Sequence, residues 1–289
     1  MVALAHAADV SLSALADAWE APPAVLAGAL VAALLFAQAW LRLRRRGRAD
    51  LAGWDRVALF GAGLVVSVLA LVSPLDAAGE EYLLSAHMLQ HVVIGDLGPA
   101  LIVVALRGPL LVFLLPATVL APLARLASLR TALGFLVRPP VAIVLWAVVV
   151  GAWHVPAAYN YTLTHRVVHD LEHVTFVLAG FLVWTVIVDP ARRGELRVAG
   201  RVAACVLLFA FGQVLADVLL FSFDPLYGPY AAQEERLLGL SALTDQRLAG
   251  VFMMAEQAVT LGTAVALLLL SQHREVLRRE AEGGRAHAA

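Results

Sequence analysis

The sequence predicts an all-α, polytopic integral membrane protein with about seven transmembrane helices, an N-terminus outside the cell and a C-terminus in the cytoplasm. Three observations predict this class. Of the 289 residues, 61% are hydrophobic and only 15% are charged, which is too little polar surface to cover an ordinary soluble domain. Apolar stretches of the length that a helix needs to cross a bilayer recur along the chain. All 21 basic residues are arginines, and they are clustered.

The second of these observations, the recurrence of apolar stretches, divides the chain into spans and tails. The apolar stretches cover residues 23–41, 54–72, 84–105, 140–157, 166–188, 200–222 and 247–270. We therefore expect residues 1–22 to form a short extracytoplasmic tail, residues 23–272 the membrane domain and residues 273–289 a cytoplasmic tail. Residues 107–138 are apolar in part but are interrupted by Pro116, which favours a cytoplasmic or re-entrant segment over an eighth span.

The arginines predict the orientation of the chain. They concentrate after the first, third, fifth and seventh stretches, as Arg42, Arg44, Arg45, Arg46, Arg48, Arg56, Arg107, Arg125, Arg130, Arg138, Arg192, Arg193, Arg197, Arg201, Arg274, Arg278, Arg279 and Arg285. Only Arg166, Arg236 and Arg247 fall on the other side. Because positively charged loops stay in the cytoplasm, this asymmetry predicts a multi-pass protein of the bacterial cell (inner) membrane with its N-terminus outside.

Six of the nine histidines fall at the outer ends of three predicted spans. They are His87, His91, His154, His165, His169 and His173. Ionisable side chains are costly inside a bilayer, so a group of them is a candidate functional site. Metal ligation is the favoured interpretation, ahead of proton or quinone chemistry and of buried hydrogen bonding.

Helical spacing strengthens the metal interpretation. Residues four apart lie on one face of a helix, so two imidazoles at that spacing can converge on one ion. His87 with His91 has this spacing, and His165, His169 and His173 extend it over two turns. Glu172 could be a further ligand or could hold a histidine tautomer by a hydrogen bond. His154 fits an interfacial position equally well, and His165 fits the first residue of a helix.

The donor atoms available favour copper. Cys205 is the single cysteine, so thiolate cages are excluded. Imidazole suits several metals, but Met88, Met253 and Met254 add soft thioethers to the same half of the bundle and favour Cu(I) over zinc or haem. Methionine also packs membrane helices without any ligand role.

Other residues within the spans predict helix packing. Gly95, Gly98 and Pro99 would let another helix approach closely and would bend the third span. Asp96 and Glu256 also lie inside predicted spans. Each could serve as a proton carrier, as a metal ligand or as a hydrogen-bonded contact between helices.

Five segments of the sequence carry a family resemblance. They are SAHMLQHVVIGDLGPALIVVALRGP at 85–109, WHVPAAYN at 153–160, HRVVHDLEH at 165–173, DPLYGPY at 224–230 and DQRLAGVFMM at 245–254. Together they resemble the seven-span CtaG family of cytochrome c oxidase assembly factors. The resemblance extends through most of the chain from the second to the seventh span.

The resemblance implies a non-enzymatic assembly factor that helps to place copper in a haem-copper oxidase. Its implied partners are oxidase subunits within the bilayer, with no nucleic acid involved. It implies that the six histidines are ligand candidates, and it places Asp245 in a motif of the last span. The alternatives are a haem-binding electron carrier, a membrane metalloenzyme with Glu172 as general base, and a scaffold whose histidines only hold the bundle together.

Overall fold

A computed structural model describes residues 15–233 and 236–288, with side chains to residue 282. Its helices, in order, are α1 (Pro23–Arg45), α2 (Trp54–Val72), α3 (Pro74–Glu81), α4 (Leu84–Ala105), α5 (Pro109–Phe113), α6 (Ala117–Arg125), α7 (Ala127–Leu136), α8 (Pro139–Trp153), α9 (Pro156–Thr162), α10 (Arg166–Val188), α11 (Val198–Phe221), α12 (Gly228–Ala231) and α13 (Ala242–Ala288). No strand occurs in these described ranges. The all-α prediction is confirmed. The predicted 1–22 tail lies mostly outside the described residues, and residues 273–288 continue α13.

Six helices are long and apolar enough to cross a membrane: α1, α2 with the short 3₁₀ turn before it, α4, α10, α11 and α13. The predicted span at 140–157 is instead the pair α8 and α9, bent by 75° between Trp153 and Pro156. A second bent pair, α6 and α7, turns by 90° within residues 107–138. The count is therefore six to eight, and the predicted seven lies within that range. Large apolar side chains on the outer faces, such as Leu30, Val206 and Val214, are more than half exposed, as lipid contact requires.

Proline begins many of these helices. Pro23, Pro74, Pro109, Pro139 and Pro156 each occupy the first turn. A helix leaves its first N–H groups without partners inside the helix, so proline loses nothing there, and its ring presets φ. The bend between α8 and α9 follows from the same rule, because Pro156 starts a new helix rather than continuing α8.

Close contact between α4 and α10 positions the site. A Cβ atom added at Gly180 of α10 would lie 2.1 Å from the carbonyl oxygen of Gly95 in α4. A π-helical turn over Val93–Leu97 interrupts α4 at this contact, next to Pro99, which cannot donate a backbone hydrogen bond. The predicted close approach is thus present. Next to Gly95 in the same turn, Asp96 accepts hydrogen bonds from Trp184 and Thr260. Asp96 therefore joins α4 to α10 and α13.

Candidate metal centre

Four of the six predicted histidines meet between α4 and α10. They are His87, His91, His169 and His173. In the described part of the chain, they form a group in which one ligand nitrogen from each residue lies within 4.8 Å of all the others. The two residues of each i, i+4 pair share a helix face, with ring centroids 4.3 Å apart on α4 and 4.2 Å apart on α10. The glycine contact between the helices brings the two faces together.

Hydrogen bonds fix the tautomer of His87. Its Nδ1 lies 2.9 Å from the hydroxyl of Tyr230, and that hydroxyl donates its hydrogen to the carbonyl oxygen of Gly79 at 2.6 Å. Burial raises the pKa of Tyr230, so the hydroxyl keeps its proton. We infer that Tyr230 accepts a hydrogen bond from Nδ1–H of His87, which leaves a lone pair on Nε2.

Glu80 acts in the same way on His169. The Nδ1 atom of His169 lies 2.9 Å from Oε1 of Glu80. The hydrogen bond from His169 holds the pKa of Glu80 below its usual value, so the carboxylate is ionised and accepts. Nδ1 of His169 therefore carries a hydrogen, and Nε2, which has a lone pair when the ring is neutral, is directed inward as a potential ligand. A carboxylate behind a metal-binding histidine is a common device for orienting the ring and raising its basicity.

These two orientations bring Nε2 of His87 within 3.3 Å of Nε2 of His169. If both rings are neutral, two lone pairs face each other, and only a cation between them removes the repulsion. That cation is either a proton or a metal ion. Two nitrogens bound to one tetrahedral metal at 2.0–2.1 Å lie about 3.3 Å apart. The donor pair therefore fits a metal without rearrangement.

The other two histidines have buried atoms without partners. Both ring nitrogens of His91 and Nε2 of His173 have no hydrogen-bond partner among the described residues, and neither do the carboxylate oxygens of Glu172. Oε1 of Glu172 lies 3.9 Å from Nε2 of His91. Leaving a buried polar group unsatisfied costs about 1–3 kcal/mol, so this set of side chains suits a ligand that would use their lone pairs. The predicted role of Glu172 stays a prediction.

A tyrosine-bearing loop covers the cluster. Tyr227 donates a hydrogen bond to the carbonyl oxygen of His154 at 3.0 Å, and its ring packs on Tyr159, 4.4 Å between centroids. The hydroxyls of Tyr159 and Tyr230 are 3.4 Å apart. Tyr159 and Tyr230 contact His87; they stand in the WHVPAAYN and DPLYGPY segments, whose sequences do not predict this contact. The sequence around an aromatic loop residue does not indicate which helix its ring will pack against.

Asp245 caps the helix that carries two of the histidines. Its carboxylate accepts hydrogen bonds from the backbone N–H of Leu84 at 2.7 Å and of Ser85 at 3.1 Å, and from the Ser85 hydroxyl. These donors are the free N–H groups at the start of α4. Asp245 lies outside the four-histidine group, and its contacts fix the start of α4 just before His87. Its predicted ligand role stays a prediction.

A second polar contact holds α3 against α4. Gln90 donates to the carbonyl oxygen of Ala70 at 2.9 Å and to the carboxyl group of Asp76. Burial raises the pKa of Asp76 to about 6, because an ionised carboxyl group loses hydration there. This contact keeps α3, and with it Glu80, next to His169.

His154 and His165 lie outside the group. Nδ1 of His154 lies 2.7 Å from the carbonyl oxygen of Val150 in α8, while its Nε2 is buried without a partner. His165 is exposed, stacks on Tyr161 with centroids 3.7 Å apart and lies 2.9 Å from the hydroxyl of Thr164. It precedes Arg166 as the N-cap of α10. The structure does not bring these two predicted ligands to the cluster.

The methionines lie beside the cluster on its inner side. Met88 and Met253 are buried in one packing group, and with His91 and His154 they line a cavity of about 40 Å³. The sulfur of Met254 instead accepts a hydrogen bond from Gln213 at 3.4 Å. Met88 and Met253 are therefore near the site, and Met254 is engaged elsewhere.

Comparisons with known proteins identify the family. A family model for the cytochrome c oxidase caa3 assembly factor (Caa3_CtaG) matches residues 34–275. This range covers most of the chain, including the four histidines, and confirms the resemblance found in the motifs. No curated protein and no solved structure matches the chain. The chain belongs to the cytochrome c oxidase caa3 assembly factor family.

Proposed function

We propose that this protein binds Cu(I) in the four-histidine cluster and passes it to a cytochrome c oxidase subunit during assembly. The observation that carries the proposal is the pair of inward-facing Nε2 atoms of His87 and His169, 3.3 Å apart, with His91 and His173 completing a group within 4.8 Å. Copper is the cargo of this protein rather than a resident cofactor. The family's role in oxidase assembly supports the destination.

The choice of copper rests on the donor set. Imidazole binds several metals, but thioethers favour Cu(I) over harder ions. Met88 and Met253 line the small cavity beside His91, so a soft ligand set is available next to the histidines. A transfer protein must also release its copper. Exchange of copper between the histidine nitrogens and the neighbouring methionine sulfurs would serve that need.

Haem and hydrolytic chemistry receive less support. The cavity beside the histidines is about 40 Å³, far below the 300 Å³ or more typical of cofactor pockets. Glu172 could serve as a general base in a metalloenzyme, but its position beside His91 also suits neutralising a buried cation. The assembly role of the family favours the non-enzymatic reading.

The membrane arrangement is part of the proposal. We place seven spans in the bacterial inner membrane, with the N-terminus and the histidines outside, because the arginine-rich loops lie at the other end of α4 and α10. Copper would then enter and leave from the periplasmic side. Glu80, whose side chain is one-third exposed, contacts His169 and would attract a cation to the mouth of the site.

The test is copper bound per protein after anaerobic Cu(I) loading and purification in detergent. We expect about one copper in the native chain and near-complete loss in a His169→Ala, His173→Ala double variant. His165→Ala is the matched control, because His165 is exposed and outside the cluster, and it should retain copper. Absence of copper from native protein, or equal loss in the control, would contradict the proposal.

Oxidase activity in cells distinguishes copper delivery from a scaffold role. In cells that lack the native gene, the double variant should leave the oxidase deficient in copper, while His165→Ala should restore it. Full oxidase activity with the double variant would point to a scaffold. A Soret band in native protein would instead support the haem alternative.

A further inference from the structure

The ends of α4 and α10 opposite the histidines enclose a basic cavity of about 390 Å³. Four arginines line it, Arg56, Arg107, Arg192 and Arg201, against one carboxylate, Asp189. A cavity with this excess of guanidinium groups suits a phosphate-bearing anion, since each guanidinium can donate paired hydrogen bonds to phosphate oxygens.

Internal contacts hold part of this charge in place. Arg56 donates to the carbonyl oxygens of Ala105 at 2.9 Å and Arg107 at 2.7 Å. Arg201 pairs with Asp189 at 3.0 Å, and the same carboxylate accepts from the backbone of residues 193 and 194. These contacts use the single carboxylate of the lining. Asp55, outside the lining, pairs with Arg56 at 3.6 Å and with Arg107 at 3.3 Å. Two carboxylates thus face four guanidinium groups, and the cavity keeps a net positive charge.

Arg192 is available to an external ligand. Its side chain makes no hydrogen bond or ion pair with any residue that the structure describes, although it lines the cavity. Its backbone has a φ of 55°, a conformation that residues other than glycine rarely adopt. Arg192 thus offers the cavity a guanidinium that has no partner among the described residues.

An apolar groove adjoins the basic cavity. The groove has a volume of about 380 Å³, and Val188 lines both spaces. α2 and the end of α4 line both spaces one turn apart: Leu59 in the groove follows Arg56 in the cavity, and Val104 precedes Arg107. α13 closes only the groove, with residues such as Thr263. A basic cavity beside an apolar groove complements a molecule with an anionic head and a hydrocarbon tail.

We propose that this composite site binds one anionic phospholipid, with its phosphate among the arginines and one acyl chain in the groove. Basic pockets between transmembrane helices are suited to anionic headgroups. The groove selects a lipid rather than a free phosphate, because the hydrocarbon chain adds burial that a soluble anion lacks. The lipid would join α2, α4 and α10 at the end away from the histidines.

Native mass spectrometry of detergent-purified, delipidated protein tests the site. We expect one dioleoyl phosphatidylglycerol to be retained per protein and dioleoyl phosphatidylcholine to be retained about tenfold less, the effect of one charged hydrogen bond. Glycerol phosphate should not compete at similar concentration. Equal retention of the two lipids would overturn the proposal, and competition by glycerol phosphate would assign the cavity to soluble anions instead.

Two matched pairs of variants locate the lipid. Arg192→Gln should weaken retention of phosphatidylglycerol about tenfold, whereas Arg193→Gln, one residue along and paired with Glu195, should not. Thr263→Trp fills the groove from its exposed rim and should exclude the acyl chain. Leu207→Trp, on an exposed face of α11, should retain the lipid. Native-like retention in both Arg192→Gln and Thr263→Trp would refute the site.

Discussion

The polar atoms at the two ends of α4 and α10 differ in how far they are satisfied by hydrogen bonds within the protein. At the arginine end, Arg56 and Arg201 are tied to backbone carbonyls and to Asp189. At the histidine end, His91 and Glu172 are buried with no hydrogen-bond partner among the described residues. Unsatisfied buried groups are expensive, so the histidine end resembles a site that a ligand completes. At the arginine end most of the polar atoms are paired, and Arg192 is a lining residue whose side chain has no partner in the part of the chain that the structure describes.

The difference follows from what each kind of ligand would require of the polar atoms around it. A cation among four imidazoles would require lone pairs that no protein hydrogen occupies, and Tyr230 and Glu80 contact the Nδ1 atoms behind the rings rather than the Nε2 atoms between them. Arginines keep their charge at any accessible pH, and a hydrogen bond to a neutral carbonyl oxygen, as Arg56 makes, leaves that charge to attract an anion. The histidine end therefore depends on tautomers, and the arginine end depends on charge.

The largest expected effect comes from the contact that joins the two ends. Gly180→Ala would place a Cβ 2.1 Å from the carbonyl oxygen of Gly95, and backbone atoms cannot move aside cheaply. We expect a loss of about 1–3 kcal/mol in stability, with lower copper stoichiometry and lower lipid retention together. Thermal unfolding in detergent measures the first, and metal analysis and native mass spectrometry measure the others.

Gly61→Ala is the control, since no atom lies within 4 Å of a Cβ added there. It should be neutral or slightly stabilising, because alanine favours helix. If Gly180→Ala lowers only the copper stoichiometry or only the lipid retention, the two ends are not coupled through the glycine contact.

An intermediate effect is expected from Tyr230→Phe, which removes the hydroxyl that accepts from Nδ1–H of His87. Loss of such an orienting partner costs about 10–100-fold in metal affinity. Competition with a Cu(I) chelator should show weaker binding while phosphatidylglycerol retention stays native. Tyr161→Phe, beside His165, is the control and should bind as the native protein does. Unchanged affinity in Tyr230→Phe would remove the tautomer argument.

The smallest effect is expected from Asp245→Asn. Its carboxylate caps α4 through Leu84 and Ser85, so the variant should lose about 1 kcal/mol of stability and keep its copper stoichiometry. Asp170→Asn, exposed on α10, should change neither quantity. A loss of copper in Asp245→Asn with unchanged thermal stability would make Asp245 a ligand rather than a cap.

Much of the fold was predictable because it depends on local pattern. Apolar length predicted the six unbroken spans, and the i, i+4 spacing predicted that His87 and His91 share a face, as His169 and His173 do. The 140–157 segment was the exception. Its apolar length predicts one span. Pro156 instead begins a second helix at 75° to the first, because its ring and missing N–H prevent α8 from continuing.

The selection of four histidines out of six depended on tertiary packing. Helical spacing treats His165 as equivalent to His169, yet His165 is exposed at the N-cap position of α10, one turn before His169, and stacks on Tyr161 instead. The key pairs join distant parts of the chain: His169 and His87 are 82 positions apart, Tyr230 and His87 are 143 apart, and Asp245 and Leu84 are 161 apart. Hydropathy and spacing describe one helix at a time, whereas these pairs form only where packed helices bring their faces together.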